Sequence, residues 1–216
     1  LVPDADGMLW GANEFGGPKF GGTVFRLSPD GEGNWTETVL HSFCDAFGCA
    51  EGAMPTGVVM NANGDLLGTT EQSIGSDGTM GVAYKLTQDG TYSVLHKFCS
   101  KSGCTDGFQP FSSVSIDSSG NIFGTTISGG GNNGDPNHNG GGVLFTVSAA
   151  EKFKVLHAFC AKANCADGAY PMTSATAGAD GHLYGTVSSG GKFGEGIVYE
   201  INRRLPPSCL RFARDG

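Results

Sequence analysis

The sequence predicts an all-β fold, a β-propeller built from four-stranded antiparallel blades of about 55 residues each. Three observations predict it: a repeated cysteine-containing phrase, two further repeated phrases, and strand-like patterns between them. An internal repeat of this length constrains the architecture more strongly than local patterns do. We expect about four blades, which form either a whole ring or part of a larger one.

The cysteine-containing phrase is Val-Leu-His-x-Phe-Cys, which occurs three times at spacings of 55 and 61 residues. In each copy a second cysteine follows after four residues, and then an acidic residue, a glycine and a proline. A residue present in every repeat most often serves the fold of the repeat unit. The three copies occupy Val39–Cys44, Val94–Cys99 and Val155–Cys160.

Two other phrases recur four times each with the same period. One is Gly-x-Leu/Ile-aromatic-or-Leu-Gly, and its copies are Gly7–Gly11, Gly64–Gly68, Gly120–Gly124 and Gly181–Gly185. The other is a glycine followed by a short apolar strand, and its copies are Gly22–Leu27, Gly81–Leu86, Gly142–Val147 and Gly196–Ile201. We therefore expect propeller repeats over residues 1–202, with blades near 1–43, 44–98, 99–159 and 160–202, and an atypical tail over 203–216.

The third repeat shows how one unit is predicted to fold. Ser113–Ile116 alternates polar and apolar residues, and Asn121–Thr126 follows it after a turn cluster, which together indicate a hairpin. Val143–Val147 and Phe153–Phe159 are rich in β-branched and aromatic residues and indicate two more strands. A β-sandwich and a β-solenoid are the competing architectures, but sandwich strands do not repeat at this period and solenoid coils are usually shorter.

The two ends of the chain depart from the repeat. The first unit has only Leu1–Pro3 as its first strand, and after Asn202 the Val-Leu-His-x-Phe phrase is missing. The last unit is therefore predicted to lack its fourth strand. An open sheet face and unpaired edges favour association. Either the terminal segments patch a four-blade ring or, as we expect, a second chain covers the incomplete units.

Composition excludes several classes of protein. Glycine makes up 37 of 216 residues but shows no Gly-X-Y period, so the chain is not collagen-like. A net charge of −8 argues against nucleic acid as a partner. No apolar run approaches the roughly 20 residues that a membrane-spanning helix needs. Motifs for a nucleophile elbow, a phosphate-binding loop or a zinc protease are missing from the sequence.

Six of the seven cysteines form three pairs with the same C-x4-C spacing. Zinc sites usually combine C-x2-C knuckles in twos or add histidines at short spacing, so local disulfides are the better interpretation and zinc the alternative. Disulfides persist in oxidising compartments, which predicts a secreted, periplasmic or surface-displayed protein. Cys209 has no such mate and is predicted to be free or bonded between chains. The predicted pairs are Cys44 with Cys49, Cys99 with Cys104, and Cys160 with Cys165.

The repeated histidines His41, His96 and His157 are predicted to be structural, with a metal or catalytic role as the alternative. Strand alternation would place His41 on the same face as Val39 and Phe43, in apolar surroundings. The acidic residue and glycine after each second cysteine are typical of turns, with an acid or ligand role for the acidic residue as the alternative.

The connections between the second and third strands are the predicted binding loops, since polar loops on a rigid scaffold often carry function. No cofactor is expected, although calcium binding by the oxygen-rich loop around Asp135 is the alternative. Trp10 and Tyr184 are predicted core residues that could instead stack on a sugar. The candidate ligand-binding residues are Asn13, Glu14, Asn132, Asn133, Asp135, Asn137, His138 and Lys192.

These phrases resemble the GloVer tandem repeat of exported and surface-anchored bacterial proteins. The resemblance is carried by Leu66–Thr70, Gly81–Leu86, Val94–Phe98 and their equivalents, and it covers nearly all of residues 1–202. It implies an extracellular, propeller-like protein. It carries over no catalytic residue.

The predicted function is therefore an extracellular binding module for carbohydrate or another surface ligand, acting through loops on one propeller face. No catalytic residue and no metal ligand are assigned. Two alternatives stay open: a polysaccharide lyase or hydrolase on a propeller scaffold, which would rest on fold analogy alone, and a structural subunit of a surface assembly. Neither nucleic acid nor a membrane span is expected, and self-association through the terminal blades is possible.

Overall fold

The computed structural model describes residues 1–44, 49–72, 80–131 and 140–203, together with the backbone of 210–212. The described chain is organised as four antiparallel sheets, each a simple meander of four consecutive strands. Helical structure in these residues is confined to short turns, among them 3-10 turns at Ser102–Cys104 and Ala163–Cys165. The all-β prediction with about four blade-like units is confirmed.

The first two sheets contain strands β1 to β8. The first sheet holds β1 (Val2–Pro3), β2 (Leu9–Asn13), β3 (Thr23–Pro29) and β4 (Trp35–Ser42). The second holds β5 (Ala53–Met60), β6 (Leu66–Gln72), β7 (Val82–Leu86) and β8 (Tyr92–Lys97).

The last two sheets contain strands β9 to β16. The third sheet holds β9 (Ser115–Ile116), β10 (Ile122–Thr126), β11 (Val143–Val147) and β12 (Phe153–Ala158). The fourth holds β13 (Thr176–Ala177), β14 (His182–Val187), β15 (Ile197–Asn202) and β16 (Leu210–Phe212).

Successive sheets pack face to face, and each of the three hydrophobic clusters lies between two neighbouring sheets. We call the face of a sheet that points to the next sheet its trailing face, and the opposite face its leading face. Trp10 and Val24 on the trailing face of the first sheet pack with Tyr84 on the leading face of the second. The first strands of successive sheets are also neighbours. This is the arrangement of propeller blades around a common axis.

Repeated residues join each sheet to the next. Thr69 and Thr125 follow the second glycine of their phrase, and their buried hydroxyls donate to the carbonyls of Ser112 and Thr173 in the following sheet, at 3.1 and 3.0 Å. The residue before each repeat proline donates its backbone N–H to the preceding sheet. These pairs are Met54 to Gly21, Gln109 to Met80, and Tyr170 to Gly141.

Two glycines of the repeat are required by close contacts. A Cβ on Gly68 would lie 2.6 Å from the Tyr84 hydroxyl oxygen, because the tyrosine ring crosses over the glycine of the neighbouring strand. Gly22 has a φ of +96°, and a Cβ there would collide with Pro55 of the second sheet. The repeated phrases therefore fix how closely strands and sheets approach one another.

The prediction that the last unit lacks its fourth strand was wrong. Strand β16 pairs antiparallel with β15, with Tyr199 opposite Phe212 and Ile201 opposite Leu210. The atypical tail therefore supplies a fourth strand without the repeat phrase, because backbone pairing does not depend on side-chain identity. At the other end, β1 has two residues, the same length as β9 and β13, so the first unit has an ordinary first strand.

Candidate functional site

A cleft of about 490 Å³ lies between the second and third sheets. It opens at the end of the sheets that carries the hairpin turns 61–65, 117–121 and 148–151, opposite the cysteine turns. Its floor is apolar and its rim is polar. The floor includes Met60, Leu67, Leu95, Ile116, Ile122 and Val147, and the rim includes Asn61, Asp65, Lys85, Asp117, Ser119 and Glu151.

The cleft coincides with one exchange in a repeated phrase. The position before the second glycine holds an aromatic residue in three sheets, namely Trp10, Phe123 and Tyr184, and holds Leu67 in the second sheet. Leucine is shorter than any of these aromatic residues. The interface behind Leu67 is therefore less completely filled at this end.

The first interface shows what fills the corresponding space. Trp10 is 1% exposed, and its indole Nε1 donates to Asp4 at 2.8 Å. The Arg26 guanidinium lies 5.5 Å from the centre of the indole ring, within the range of a cation–π contact. In the third interface Arg203 lies 5.0 Å from the centre of the Phe123 ring in a similar way.

The rim of the cleft holds charges that are fixed by partners. Lys85 takes the position of Arg26 in its sheet and donates to Glu151 of the third sheet. This hydrogen bond raises the pKa of Lys85. The amide of Asn61 donates to Asp65 at 3.1 Å. The second interface thus replaces an aromatic–arginine stack with an ion pair that spans the cleft.

The Asp117 side chain is largely enclosed at the rim, whereas that of Glu151 is exposed. Burial works against its ionisation, but hydrogen bonds from Asn121 and Arg203 outweigh burial and lower the pKa of Asp117. The Arg203 guanidinium is 2.5 Å from a carboxylate oxygen, and Ser119 donates its backbone N–H to the other. Asp117 is therefore an ionised acceptor near neutral pH.

At the opposite end the structure joins the three C-x4-C pairs as disulfides, as their spacing predicts. Both cysteines of each pair have a positive φ, between 46° and 66°. This conformation is uncommon for residues other than glycine. The second cysteine of the later two pairs also accepts an N–H bond from the glycine loop of its own sheet, from Gly130 to Cys104 and from Gly191 to Cys165.

The acidic residue after each disulfide holds its turn together in the second and third pairs. Asp106 is fully buried and accepts hydrogen bonds from the backbone N–H and hydroxyl of Ser100, at 3.1 and 2.7 Å, and from Lys101. Its carboxylate is also 3.1 Å from His96 Nε2. Burial opposes ionisation of the equivalent Asp167, but hydrogen bonds led by that of His157 outweigh it and lower the pKa of Asp167.

The sequence argument for the histidines was right about Phe43, whose ring centre lies 4.7 Å from that of His41, but wrong about Val39. A β-bulge at Leu40 pairs His41 with Val24 and Val39 with Phe25, so His41 and Val39 lie on opposite faces. The same register shift recurs in the second and third sheets. The imidazoles therefore point to the next sheet, where His41 stacks on Tyr92 at 4.2 Å and His96 stacks on Phe153 at 3.5 Å between ring centres. Their structural role stays a prediction that fits these contacts.

The predicted loop residues are only partly within the described structure. Asn13 and Glu14 are exposed at the end of β2. Burial, and to a smaller extent the nearby Glu14 carboxylate, raises the pKa of Glu71. Lys192 is exposed and lies 5.0 Å from the centre of the Phe193 ring. In the described ranges no contact joins Lys192 to Asn13 or Glu14. Outside those ranges lie Asn132, Asn133, Asp135, Asn137 and His138, and Cys209.

Metal and membrane features can be judged only for the described part of the chain. There, no three His, Cys, Asp or Glu side chains come together in a group that could hold a metal ion. The same residues contain no helix with the length and apolar character that crossing a membrane requires.

A family model described as the Gloeobacter/Verrucomicrobia repeat matches residues 1–205. The chain belongs to this repeat family. The match spans all four copies of the two shorter repeated phrases and all three copies of the cysteine phrase. No curated protein matches the chain.

Two solved structures are similar to this chain. One is named a "putative gluconolactonase", with 11% identity and a TM-score of 0.49 over 88% of this chain. The other is dipeptidyl peptidase 4 of Porphyromonas gingivalis, with 11% identity and a TM-score of 0.43 over 85% of this chain. The chain spans 55% of the first protein and 21% of the second. No activity is carried over from either.

Sequence reasoning missed the cleft, although one signal was visible. Leu67 is the single aliphatic residue in a position that is aromatic in the other three copies. The sequence prediction used only the residues that the repeat copies share and therefore overlooked this difference. The residue in which one copy differs marks the place where a shared scaffold leaves space.

Proposed function

We propose that this member of the repeat family is an extracellular, non-catalytic binding module that holds a neutral saccharide in the cleft between the second and third sheets. The observation that carries the proposal is the cleft itself, with its apolar floor around Leu67 and polar rim around Asp65 and Glu151. Its volume of about 490 Å³ lies within the range of small-ligand sites, about 300–1,000 Å³.

The chemistry of the rim favours a ligand with many hydroxyl groups and no charge. Carboxylates and the Asn61 carbonyl accept hydrogen bonds, and the Lys85 ammonium donates them. Lys85 and Arg203 balance two of the three carboxylates, and the remaining negative charge disfavours an anionic ligand, as does the net charge of −8. A sugar ring combines hydroxyl edges for such a rim with C–H faces for an apolar floor.

The cysteines support an extracellular location. Three disulfides within short turns are typical of proteins that fold in an oxidising environment. The polar groups of the cleft are already engaged in ion pairs and turn contacts, which suits binding more than proton transfer. These features support a binding role over the lyase or hydrolase alternative.

A glycan array followed by calorimetry tests the proposal. Neutral oligosaccharides should bind, acidic uronate oligosaccharides should bind more weakly, and a chelator should change neither result. Leu67→Phe should weaken binding at least tenfold, because it introduces the aromatic residue that fills the first and third interfaces. Tyr184→Leu is the matched control at the equivalent position of the fourth sheet and should leave binding unchanged.

Two results would reject the proposal. If Tyr184→Leu abolished binding and Leu67→Phe did not, the sugar would stack on the fourth sheet and not in the cleft. Cleavage of an array ligand by the wild-type chain would replace the binding role with the enzyme alternative.

A further inference from the structure

The trailing face of the fourth sheet has the composition of a covered interface but is exposed. Tyr184 and Val198 occupy the positions of Trp10 and Val24, which are 1% and 0% exposed in the first interface. In the fourth sheet the two side chains are 37% and 50% exposed. Large apolar side chains in a contiguous exposed patch commonly mark an interaction surface.

The hydrogen-bonding group of the interface is also present on this face. Thr186 occupies the position of Thr69 and Thr125, whose buried hydroxyls donate to the next sheet. Thr186 is exposed, and its hydroxyl oxygen lies 3.5 Å from that of Thr173. A hollow of about 480 Å³ on the face is lined by Thr173, Tyr184, Thr186 and Val198.

The leading face of the first sheet is the complementary half. Leu9 and Leu27 occupy the positions of Leu66 and Leu86, which are both fully buried in the second sheet. Leu9 and Leu27 themselves are only half-buried. Between them, the Phe25 ring crosses over Gly11 in the same manner as Tyr84 crosses over Gly68.

We propose that the trailing face of the fourth sheet in one chain packs against the leading face of the first sheet in a second copy of this chain. Three interfaces of this type already exist inside the chain, and both halves of a further one are present on it. Leu9 and Leu27 of one copy pack against Tyr184 and Val198 of the other, as Leu66 and Leu86 pack with Trp10 and Val24 inside the chain. The partner is therefore a surface with the residue pattern of this repeat.

The proposed contact is head-to-tail, so the rotation between the two copies decides whether they form a closed ring or a filament. A heterologous interface forms a ring where its rotation closes and an open filament where it does not. Two copies contribute eight sheets, the upper end of the about 4–8 blades that propellers commonly have. A closed dimer covers both exposed faces at once.

Sedimentation of the 216-residue chain over a wide concentration range tests the proposal. We expect a species of twice the 22.2 kDa chain mass. Val198→Glu alters the trailing face and Leu27→Glu alters the leading face, and each variant alone should be monomeric. Phe20→Glu is the matched control, because Phe20 is an exposed aromatic residue in the β2–β3 loop.

Mixing the two interface variants separates head-to-tail packing from other contacts. A mixture of Val198→Glu and Leu27→Glu chains retains one intact interface and should form a one-to-one complex. Circular dichroism checks that each variant is folded. If Leu27→Glu unfolds, Val39→Glu replaces it, because Val39 is exposed and lies opposite Phe25 on the same face.

Three outcomes would overturn the proposal. One is a wild-type monomer at every concentration. Another is a dimer that Val198→Glu disrupts and the leading-face variant does not, which would place two trailing faces together. The third is association lost equally in Phe20→Glu, which would locate the contact in the loop.

Discussion

The first and second interfaces of this molecule share one backbone arrangement and differ in what fills it. In the first, Trp10 and Arg26 stack against each other and close the space at the hairpin end. In the second, Leu67 and Lys85 occupy the same positions, and a cleft of about 490 Å³ results. A repeat scaffold therefore leaves open space where one copy departs from the residue that its neighbours use.

The two interfaces also differ at the cysteine end. The turn before the second sheet carries Glu51 where the turn before the third carries Asp106. Asp106 is fully buried and holds the backbone of its turn, whereas Glu51 is only half-buried. The two ends of the molecule can therefore be tested independently.

The largest effect should come from Asp106→Ala. The change leaves the N–H groups of Ser100 and Lys101 without their acceptor, and we expect a loss of about 3 kcal/mol in the free energy of unfolding. The matched change Glu51→Ala should cost about 1 kcal/mol or less. Urea denaturation of both variants makes the comparison, and equal losses would show that the buried carboxylate is not what holds the turn.

Trp10→Leu should convert the first interface into a copy of the second. We expect it to cost about 2 kcal/mol, since a fully buried indole is replaced by a smaller side chain. Phe15→Leu, at an exposed aromatic position of the β2–β3 loop, should cost less than about 0.5 kcal/mol. A crystal structure of the Trp10→Leu variant should show a new cleft at the substituted position, and collapse of the sheets into that space would contradict the account.

The free energy of unfolding should depend on pH through His96, which stacks on Phe153 across the second interface. Burial lowers the pKa of His96 below its ordinary value of 6.5, although Asp106 opposes the shift. Protons therefore bind preferentially to the unfolded chain, and stability present above pH 6.5 is lost as the pH falls. His96→Gln should flatten this slope as the pH falls below 6.5, and an unchanged slope would assign it to other groups.

The smallest effect should come from Glu151→Gln. Its ion pair with Lys85 is partly exposed, so we expect at most about 0.5 kcal/mol on unfolding and a loss of salt dependence. Lys154→Gln, which changes a charged residue outside the cleft lining, is the control. A loss well above this range would show that the ion pair holds the two sheets together.

Much of the fold could be predicted because the repeat supplies several copies of each signal. Gly68 and its equivalents, the threonine that follows, and the proline of the next unit all have contacts that explain their recurrence. The disulfide pairs follow in the same way from identical spacing. Strand β16 could not be predicted, because the tail pairs through its backbone and shares no phrase with the repeat.

The candidate site was less predictable. The bulge at Leu40 reverses the face of His41 relative to Val39, and a simple alternation of side chains does not reveal a bulge. The cleft exists because Leu67 is smaller than the aromatic residues at the equivalent position of the other sheets. A search for motifs that all copies share does not detect such a difference. The loop residues Asn13, Glu14 and Lys192 stay predicted ligand-binding residues.

Chemical-shift mapping on the isotope-labelled protein directly tests whether a neutral saccharide binds in the cleft between the second and third sheets. The isotope-labelled chain would be titrated with the strongest neutral oligosaccharide from the array, and the backbone amide signals followed. We expect the largest shifts at the backbone amides of Leu67, Lys85 and Ile122 in the cleft. Shifts confined to Asn13, Glu14 and Lys192, at the opposite end of the sheets, would contradict it.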